Sequence, residues 1–153
     1  HIRARKPHAV ILSGGPRSVL EPDAPDIDVS LLDGIPTLGI CYGLQWMAAR
    51  LGGVVEQGSE REYGKREVRL TQPGSLVSVL KSKQVWMSHG DRVVQPPDGF
   101  KITAATDTCP VAAFESVERN MWGVQFHPEV SHTTDGRLVL QRFLFECAGL
   151  RGD

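Results

Sequence analysis

Cys41 is the residue of this sequence whose neighbours point most directly to chemistry. It lies at the centre of Gly-Ile-Cys-Tyr-Gly at positions 39–43, the G-x-C-x-G pattern of a nucleophile elbow with cysteine in place of serine. The mostly apolar run Ile35–Ile40 predicts a buried strand, and apolar residues at i, i+3, i+4 and i+7 from Leu44 predict a helix. A sulfur at this turn faces the positive end of the helix, which favours the thiolate. We therefore predict that Cys41 attacks a carbonyl carbon.

A base for this nucleophile is present in Gln-Phe-His-Pro-Glu at positions 125–129. Pro128 disfavours helical geometry at the preceding residue, so His127 is expected in an extended backbone. Positions i and i+2 of an extended chain point to the same side, which places His127 and Glu129 together. The Glu129 carboxylate then orients the imidazole, and the imidazole activates Cys41. The sequence thus offers a Cys-His-Glu triad.

An oxyanion hole completes such a site, and two backbone N–H groups are candidates for it. One belongs to Tyr42, the residue directly after the nucleophile. The other belongs to Gly15, in the turn Ser13–Pro16 that follows the short apolar run Ala9–Leu12. Glycine at this point allows the backbone to approach a carbonyl oxygen closely. We predict that Gly15 and Tyr42 form the oxyanion hole.

Each of these segments also has a simpler interpretation. A cysteine at a junction of strand and helix is often a small buried hydrophobic residue, and an isolated His-Pro-Glu is often a turn. The segment 13–16 also fits a plain turn, or a phosphate loop without the lysine that a P-loop needs. His127, Glu129 and His132 lack the H-E-x-x-H spacing of a zinc site, so we predict no metal.

The surrounding sequence predicts an α/β fold. A strand is expected at Ala9–Leu12, a short helix near Ile27–Leu32, an end of the elbow helix at Gly52-Gly53, and a last helix at Asp135–Ala148. Strand-like runs separated by turn residues fill the middle of the chain. They are Val54–Val55, Val68–Leu70, Val85–Met87, Phe100–Ala104, Val111–Phe114 and Trp122–Phe126. This order indicates an α/β domain with an antiparallel insertion.

The composition fits a globular domain with its own core, since 41% of the 153 residues are hydrophobic and 23% are charged. The net charge of −1 gives no indication of nucleic acid or an anionic membrane as a partner. No apolar stretch is long enough to span a membrane, and no signal peptide is recognisable. Three cysteines without pair spacing predict no disulfide framework, which favours a reducing, cytoplasmic location. We predict structural roles for Cys109 and Cys147.

Three separated motifs together resemble the class I, or triad-type, glutamine amidotransferases. They are the glycine loop at 13–16, the elbow Gly-Ile-Cys-Tyr-Gly-Leu-Gln at 39–45, and Gly-Val-Gln-Phe-His-Pro-Glu at 123–129. Within that class they are most similar to the glutaminase domains of the GMP synthase family, which Ser-His-Gly-Asp at 88–91 also fits. Glutaminases of anthranilate or carbamoyl-phosphate synthesis more often carry a Pro-Gly-Pro-Gly-type loop and a Cys-Leu-Gly-His-Gln elbow, and this sequence differs from both.

The resemblance implies a flavodoxin-like mixed sheet flanked by helices, with the antiparallel β insertion. It implies that residues 1–150 form the glutaminase domain and that 151–153 begin a linker to an ATP-pyrophosphatase domain. The family's domain starts with a strand and a helix upstream of the part matched here. We therefore expect the first strand and helix to be missing from this chain.

The resemblance further implies hydrolysis of glutamine to glutamate and ammonia by Cys41, His127 and Glu129, with Gly15 and Tyr42 as the oxyanion hole. In the GMP synthase family the ammonia converts XMP to GMP. This domain is expected to need no cofactor, whereas ATP and Mg²⁺ bind the synthetase domain of the same polypeptide, in an enzyme expected to be a homodimer. Glutamine-binding roles are implied for Gln45, Ser88, His89, Gly90 and Asp91.

Two other classes of function fit the same residues. The chain is alternatively a glutaminase that serves another amidotransferase, or a γ-glutamyl hydrolase. It is also compatible with a catalytically silent regulatory or binding domain, although the presence of all three triad residues argues against silence.

Overall fold

A six-stranded mixed sheet forms the centre of the structure, a computed structural model that describes residues 1–152. A separate two-stranded sheet contains the two longest strands. In chain order the strands are β1 Val10–Leu12, β2 Thr37–Ile40, β3 Val54–Glu67, β4 Arg69–Leu70, β5 Gln84–Gln95, β6 Lys101–Ala105, β7 Ala113–Ser116 and β8 Met121–Val124.

The order of strands in the main sheet is β1-β2-β8-β7-β6-β4. β1, β2 and β8 run parallel, with Val10 beside Thr37 and Thr37 beside Met121. The remaining pairs are antiparallel. Because parallel strands end at the same edge of a sheet, the residues that follow β1, β2 and β8 are brought together there. These are the three motif segments that the sequence singled out.

The second sheet pairs β3 with β5 in antiparallel register. It confirms the predicted antiparallel insertion, but the strands are much longer than the runs Val54–Val55 and Val85–Met87. β3 continues through Glu67 with few apolar residues, and only Tyr and Gly interrupt its charged second half. Backbone pairing with β5, rather than burial of apolar side chains, therefore extends this strand.

Four helical segments flank the sheet at the ends and at the elbow. They are α1 Ile2–Arg5, α2 Tyr42–Arg50, α3 Gly136–Gln141 and a π-helix Arg142–Cys147. Short 3₁₀ turns lie at Val29–Leu32 and Val77–Val79. The predicted last helix is thus divided between α and π geometry. None of the helices within residues 1–152 is long and apolar enough to cross a membrane.

The core lies on both faces of the main sheet. On β8, Met121 packs into one buried cluster, with Leu44 and Phe114, and Trp122 packs into the other, with Leu38 and Phe126. Neighbouring residues of a strand point to opposite faces, so one strand supplies both clusters. The sheet flanked by helices agrees with the predicted α/β class. The predicted linker 151–153 extends to Asp153, which lies outside the described residues.

Candidate active site

Cys41 forms the turn between β2 and α2 in a conformation that is rare for a residue with a side chain. Its φ is 53° and its ψ is −104°, and such strained backbone conformations cluster at functional sites. The backbone is held by β8 and α2, because Cys41 N donates to Val124 O (2.8 Å) and Gln45 N donates to Cys41 O (3.2 Å). The side chain is 4% exposed.

The two glycines of the elbow serve close packing rather than an unusual backbone conformation. Neither Gly39 nor Gly43 has a positive φ. A Cβ on Gly39 would lie 2.6 Å from the carbonyl carbon of Gly43, and a Cβ on Gly43 would lie 2.2 Å from Leu12 O. The glycines therefore allow the start of α2 to contact both β1 and β2, while Cys41 itself adopts the strained conformation.

His127 and Glu129 come together as the sequence predicted. His127 Nδ1 lies 2.6 Å from Glu129 Oε1, and this contact places the Nδ1 proton on the carboxylate side of the ring. The backbone is held on both sides, since His127 N donates to Trp86 O (3.0 Å) and Thr133 Oγ1 donates to His127 O (2.6 Å). The imidazole thus has a fixed tautomer and a fixed position.

The imidazole also lies close to Cys41. The nearby Cys41, and then the hydrogen bond with Glu129, raise the pKa of His127 to about 10, despite the opposing effect of burial. Burial opposes ionisation of Glu129 as well, but its hydrogen bond with His127 lowers the pKa of the carboxyl. Gly14 fits between the pair, because a Cβ there would lie 2.9 Å from His127 Cε1 and 3.3 Å from Cys41 Cβ. The structure therefore brings the side chains of Cys41, His127 and Glu129 together next to Gly14.

The two candidate oxyanion donors both lie near Cys41. Gly15 lines the same pocket as the Cys41 side chain. Tyr42 is the first residue of α2, where backbone N–H groups have no partner within the helix. Its phenol donates to Pro25 O (2.6 Å), so the side chain is anchored to the loop before the elbow. The backbone N–H of Tyr42 is left beside Cys41.

The pocket in front of Cys41 contains all five residues expected to bind glutamine, namely Gln45, Ser88, His89, Gly90 and Asp91. Cys41 Sγ lies 3.5 Å from Ser88 O, which places β5 against the nucleophile. Five further lining residues were not among the predicted site residues: Pro16, Arg17, Ser18, Glu21 and Arg61. The hydroxyl of Ser18 donates to the Asp91 carboxylate, so the loop after β1 is fastened to β5 across the pocket.

His89 does not face Cys41. Its Nε2 lies 2.7 Å from Glu62 Oε2 and its Nδ1 lies 2.7 Å from Asp91 O. Cys109 Sγ is within 4.8 Å of these groups, but the imidazole and the carboxylate are too close to share an ion, since two ligands of tetrahedral zinc are separated by roughly 3.3 Å. His89 and Glu62 are a hydrogen-bonded pair.

The other two cysteines are placed differently from Cys41. All three cysteines lie within the described residues and are free thiols. Cys109 is fully buried, and this burial raises the pKa of its thiol to about 12. Burial also raises the pKa of Cys147, the last residue of the π-helix, which packs against the core. Both positions fit the structural roles predicted for them.

Comparison with known proteins agrees with the motifs. The family described as "Glutamine amidotransferase class-I" matches residues 1–147. The chain is 51% identical to the GMP synthase [glutamine-hydrolyzing] of Syntrophomonas wolfei, over 99% of this chain and 30% of that protein. It is 54% identical to that of Mycobacterium bovis, over 97% of this chain and 29% of that protein. The chain thus spans about a third of the length of these curated relatives.

Solved structures show the same relationship at the level of the fold. A Thermoplasma acidophilum protein described as a putative GMP synthase subunit superimposes with a TM-score of 0.76 and 33% identity, covering 93% of this chain and 73% of that one. A glutamine amidotransferase from Thermotoga maritima shares the fold, with a TM-score of 0.63 and 22% identity. The predicted fold class, a class I amidotransferase-like mixed sheet, is confirmed. The chain belongs to the class-I glutamine amidotransferase family.

Proposed function

We propose that this chain hydrolyses glutamine to glutamate and ammonia through a thioester on Cys41. The observation that carries the proposal is the meeting of Cys41, His127 and Glu129: Cys41 and His127 lie next to the same Gly14 position, and His127 Nδ1 is 2.6 Å from the Glu129 carboxylate. This is the arrangement of nucleophile, base and orienting group that acyl transfer needs.

The first half of the reaction forms the thioester. The Cys41 sulfur attacks the side-chain amide carbon of glutamine, and the electron pair of the C=O bond moves to oxygen. The backbone N–H groups of Gly15 and Tyr42 donate to that oxyanion. Protonated His127 gives its proton to the amide nitrogen, the C–N bond breaks, and ammonia leaves. The raised pKa of His127 keeps this proton on the ring until the leaving group accepts it.

The second half releases glutamate. His127, now neutral, takes a proton from water as the water oxygen attacks the thioester carbon. The same two backbone donors hold the second oxyanion. When the tetrahedral intermediate collapses, the C–S bond breaks and the sulfur leaves as thiolate beside the imidazolium. Glu129 keeps the ring in one orientation throughout, since its carboxylate accepts a hydrogen bond from Nδ1–H.

Gln45 and the segment 88–91 are proposed to bind the amino acid end of glutamine. Ser88, His89 and Gly90 line the pocket beside the nucleophile, and their backbone N–H and C=O groups are suited to the carboxylate and ammonium groups of the substrate. Gln45 presents a side-chain amide to the same pocket. These groups hold glutamine with its amide carbon next to Cys41.

Glutamate release from glutamine, measured with and without Cys41→Ala, tests the proposed hydrolysis. We expect wild-type protein to release glutamate and ammonia in equal amounts, and Cys41→Ala to lose at least about 10³-fold in turnover, because the nucleophile is gone. Cys147→Ala is the matched control and is expected to retain activity. Glutamate release that persists in Cys41→Ala contradicts the assignment, as does preferential hydrolysis of γ-glutamyl peptides.

We further propose that the ammonia aminates XMP to GMP in the cytoplasm, in a synthetase domain of the same polypeptide that binds ATP and Mg²⁺ and forms a homodimer. The support is the GMP synthase name of relatives about half identical to this chain. In the intact protein, Cys41→Ala is expected to abolish GMP formation from glutamine but not from added ammonium salt. Loss of both activities, or absence of both from wild-type protein, contradicts this step.

A further inference from the structure

A continuous chain of buried hydrogen bonds runs behind the pocket from β3 to the end of β8. Glu62 Oε2 lies 2.7 Å from His89 Nε2, and His89 Nδ1 lies 2.7 Å from Asp91 O. Gln45 Nε2 lies 2.8 Å from the same carbonyl oxygen and 3.1 Å from Gln125 Oε1. The four side chains are between 0% and 7% exposed. No motif in the sequence links Glu62 to this site, and Gln125 stands in the motif 123–129 without a predicted role.

The backbone carbonyl of Asp91 fixes the direction of the two hydrogen bonds that it accepts. A carbonyl oxygen only accepts, so both His89 Nδ1 and Gln45 Nε2 must be donors. Glu62 is ionised, because hydrogen bonds with His89 and Thr108 lower the pKa of its carboxyl in spite of burial. The Glu62 carboxylate thus holds the Nε2 side of the His89 ring, which keeps Nδ1 directed at Asp91 O.

The same logic sets the orientation of the Gln45 amide. Its Nε2 donates both protons, one to Asp91 O and one to Gln125 Oε1. Its Oε1 receives no hydrogen bond from residues 1–152, and Gln45 lines the pocket in front of Cys41. A reversed amide would place Oε1 against the Asp91 carbonyl, where two acceptors repel. The oxygen of Gln45 is consequently the atom offered to a ligand.

Gln125 shows that the arrangement has a cost. Its side chain is completely buried, and its Nε2 has no hydrogen-bond partner among residues 1–152. A buried donor without a partner destabilises the fold, and an apolar residue of the same shape would avoid that loss. The amide supplies the acceptor that holds the second proton of Gln45.

We propose that Glu62 and Gln125 are positioning residues for glutamine binding. They act at opposite ends of this series of hydrogen bonds and keep the Gln45 carbonyl oxygen directed into the pocket. The ligand atom that this oxygen accepts from is an N–H of bound glutamine. The inference rests on the proposed glutaminase function and identifies two residues on which its affinity for substrate depends.

Steady-state glutamine hydrolysis by the intact protein tests the Glu62 end. In Glu62→Ala the ring of His89 loses the partner of its Nε2 and is no longer held with Nδ1 directed at Asp91 O, so KM is expected to rise by about 10-fold, the equivalent of one hydrogen bond, while kcat stays within about threefold. Glu62→Gln is expected to restore KM, because its side-chain amide can also form a hydrogen bond with His89 Nε2. Glu56→Ala, an exposed position of β3, is the control.

Gln125→Met tests the other end and remains informative where Glu62→Ala fails to fold. It removes both the acceptor for Gln45 and the unpaired donor, so Tm is expected to change by no more than about 2 °C while KM rises. A KM for glutamine equal to that of wild type in both Glu62→Ala and Gln125→Met overturns the positioning role. A KM in Glu62→Gln as high as that in Glu62→Ala also overturns it. Wild-type protein without glutaminase activity instead contradicts the proposed function.

Discussion

Gly14 occupies the narrowest space next to the candidate catalytic pair. A methyl group there would lie 2.9 Å from His127 Cε1 and 3.3 Å from Cys41 Cβ. The imidazole is fixed by Glu129 and by its own backbone hydrogen bonds, so it has little freedom to move aside. The residue that limits the space between Cys41 and His127 therefore belongs to the loop after β1, and not to the triad.

Gly14→Ala is expected to lower kcat for glutamine hydrolysis by about 10- to 100-fold, because a displacement of the order of 1 Å between nucleophile and base has effects of this size. Thermal unfolding should show that the fold is retained. Gly152→Ala, where an added methyl group meets only the distant edge of Phe145, is the control. Wild-type kcat in Gly14→Ala would contradict the close contact.

The three thiols are expected to differ in their reaction with a glutamine-analogue electrophile such as a chloroketone. Cys41 lines the pocket beside His127, whereas burial raises the pKa values of Cys109 and Cys147, which reduces their thiolate fraction. Peptide mass spectrometry should therefore find the label on Cys41 alone, and excess glutamine should slow its attachment. Equal labelling of the three cysteines would show that Cys41 has no special activation.

Single residues with a local pattern could be assigned from the sequence, and those without one could not. His127 and Glu129 are two positions apart on either side of a proline, and that spacing alone predicts their contact. Gln125 stands in the motif 123–129, but its contact with Gln45 depends on how the end of β8 packs. Glu62 is brought behind the pocket only by the pairing of β3 with β5. Such contacts depend on tertiary structure, so the sequence pattern does not indicate them.

At the scale of elements, the elbow depends on the close approach of β1, β2 and α2. A Cβ on Gly43 would lie 2.2 Å from Leu12 O, and a backbone oxygen cannot move away as a flexible side chain does. Gly43→Ala is thus expected to lower the free energy of unfolding by about 2–4 kcal/mol, measured by urea denaturation. Gly15→Ala, where a methyl group meets nothing within 4 Å, should differ from wild type by less than about 0.5 kcal/mol.

The elements that the sequence predicted well are those with an apolar pattern. β2 and α2 match expectation because their apolar residues are buried with the correct period. β3 was predicted only at its first two residues, because its exposed, charged remainder is held by backbone pairing with β5. The last helix was placed correctly, but its change to π geometry at Arg142 has no counterpart in the spacing of apolar residues.

On the scale of the whole molecule, the order of strands assembles the site. The segments after β1, β2 and β8 are far apart in sequence, and they meet because these three strands are parallel neighbours. β5 then closes the pocket from the second sheet through Ser88 and Asp91. The motifs predicted which segments must meet. That a separate two-stranded sheet lines the pocket could be seen only in the structure.

The stability of the whole molecule should depend on pH through His127. Its pKa is about 10 in the folded protein, mainly because of Cys41 and Glu129, against 6.5 for the free group. Because folding raises this pKa, protonated His127 stabilises the folded protein fully at pH values below 6.5, the pKa of the unfolded state. The stabilisation is lost as the pH rises to about 10, the pKa of the folded state.

The difference in unfolding free energy between wild type and His127→Gln should consequently be largest near about pH 6, smaller near about pH 8, and close to zero above about pH 10. Urea denaturation of both proteins at the three pH values measures it, and His8→Gln, an exposed histidine, corrects for the loss of a histidine as such. A difference that grows with pH would mean that the folded protein prefers neutral His127, which would remove the proton that the leaving ammonia requires.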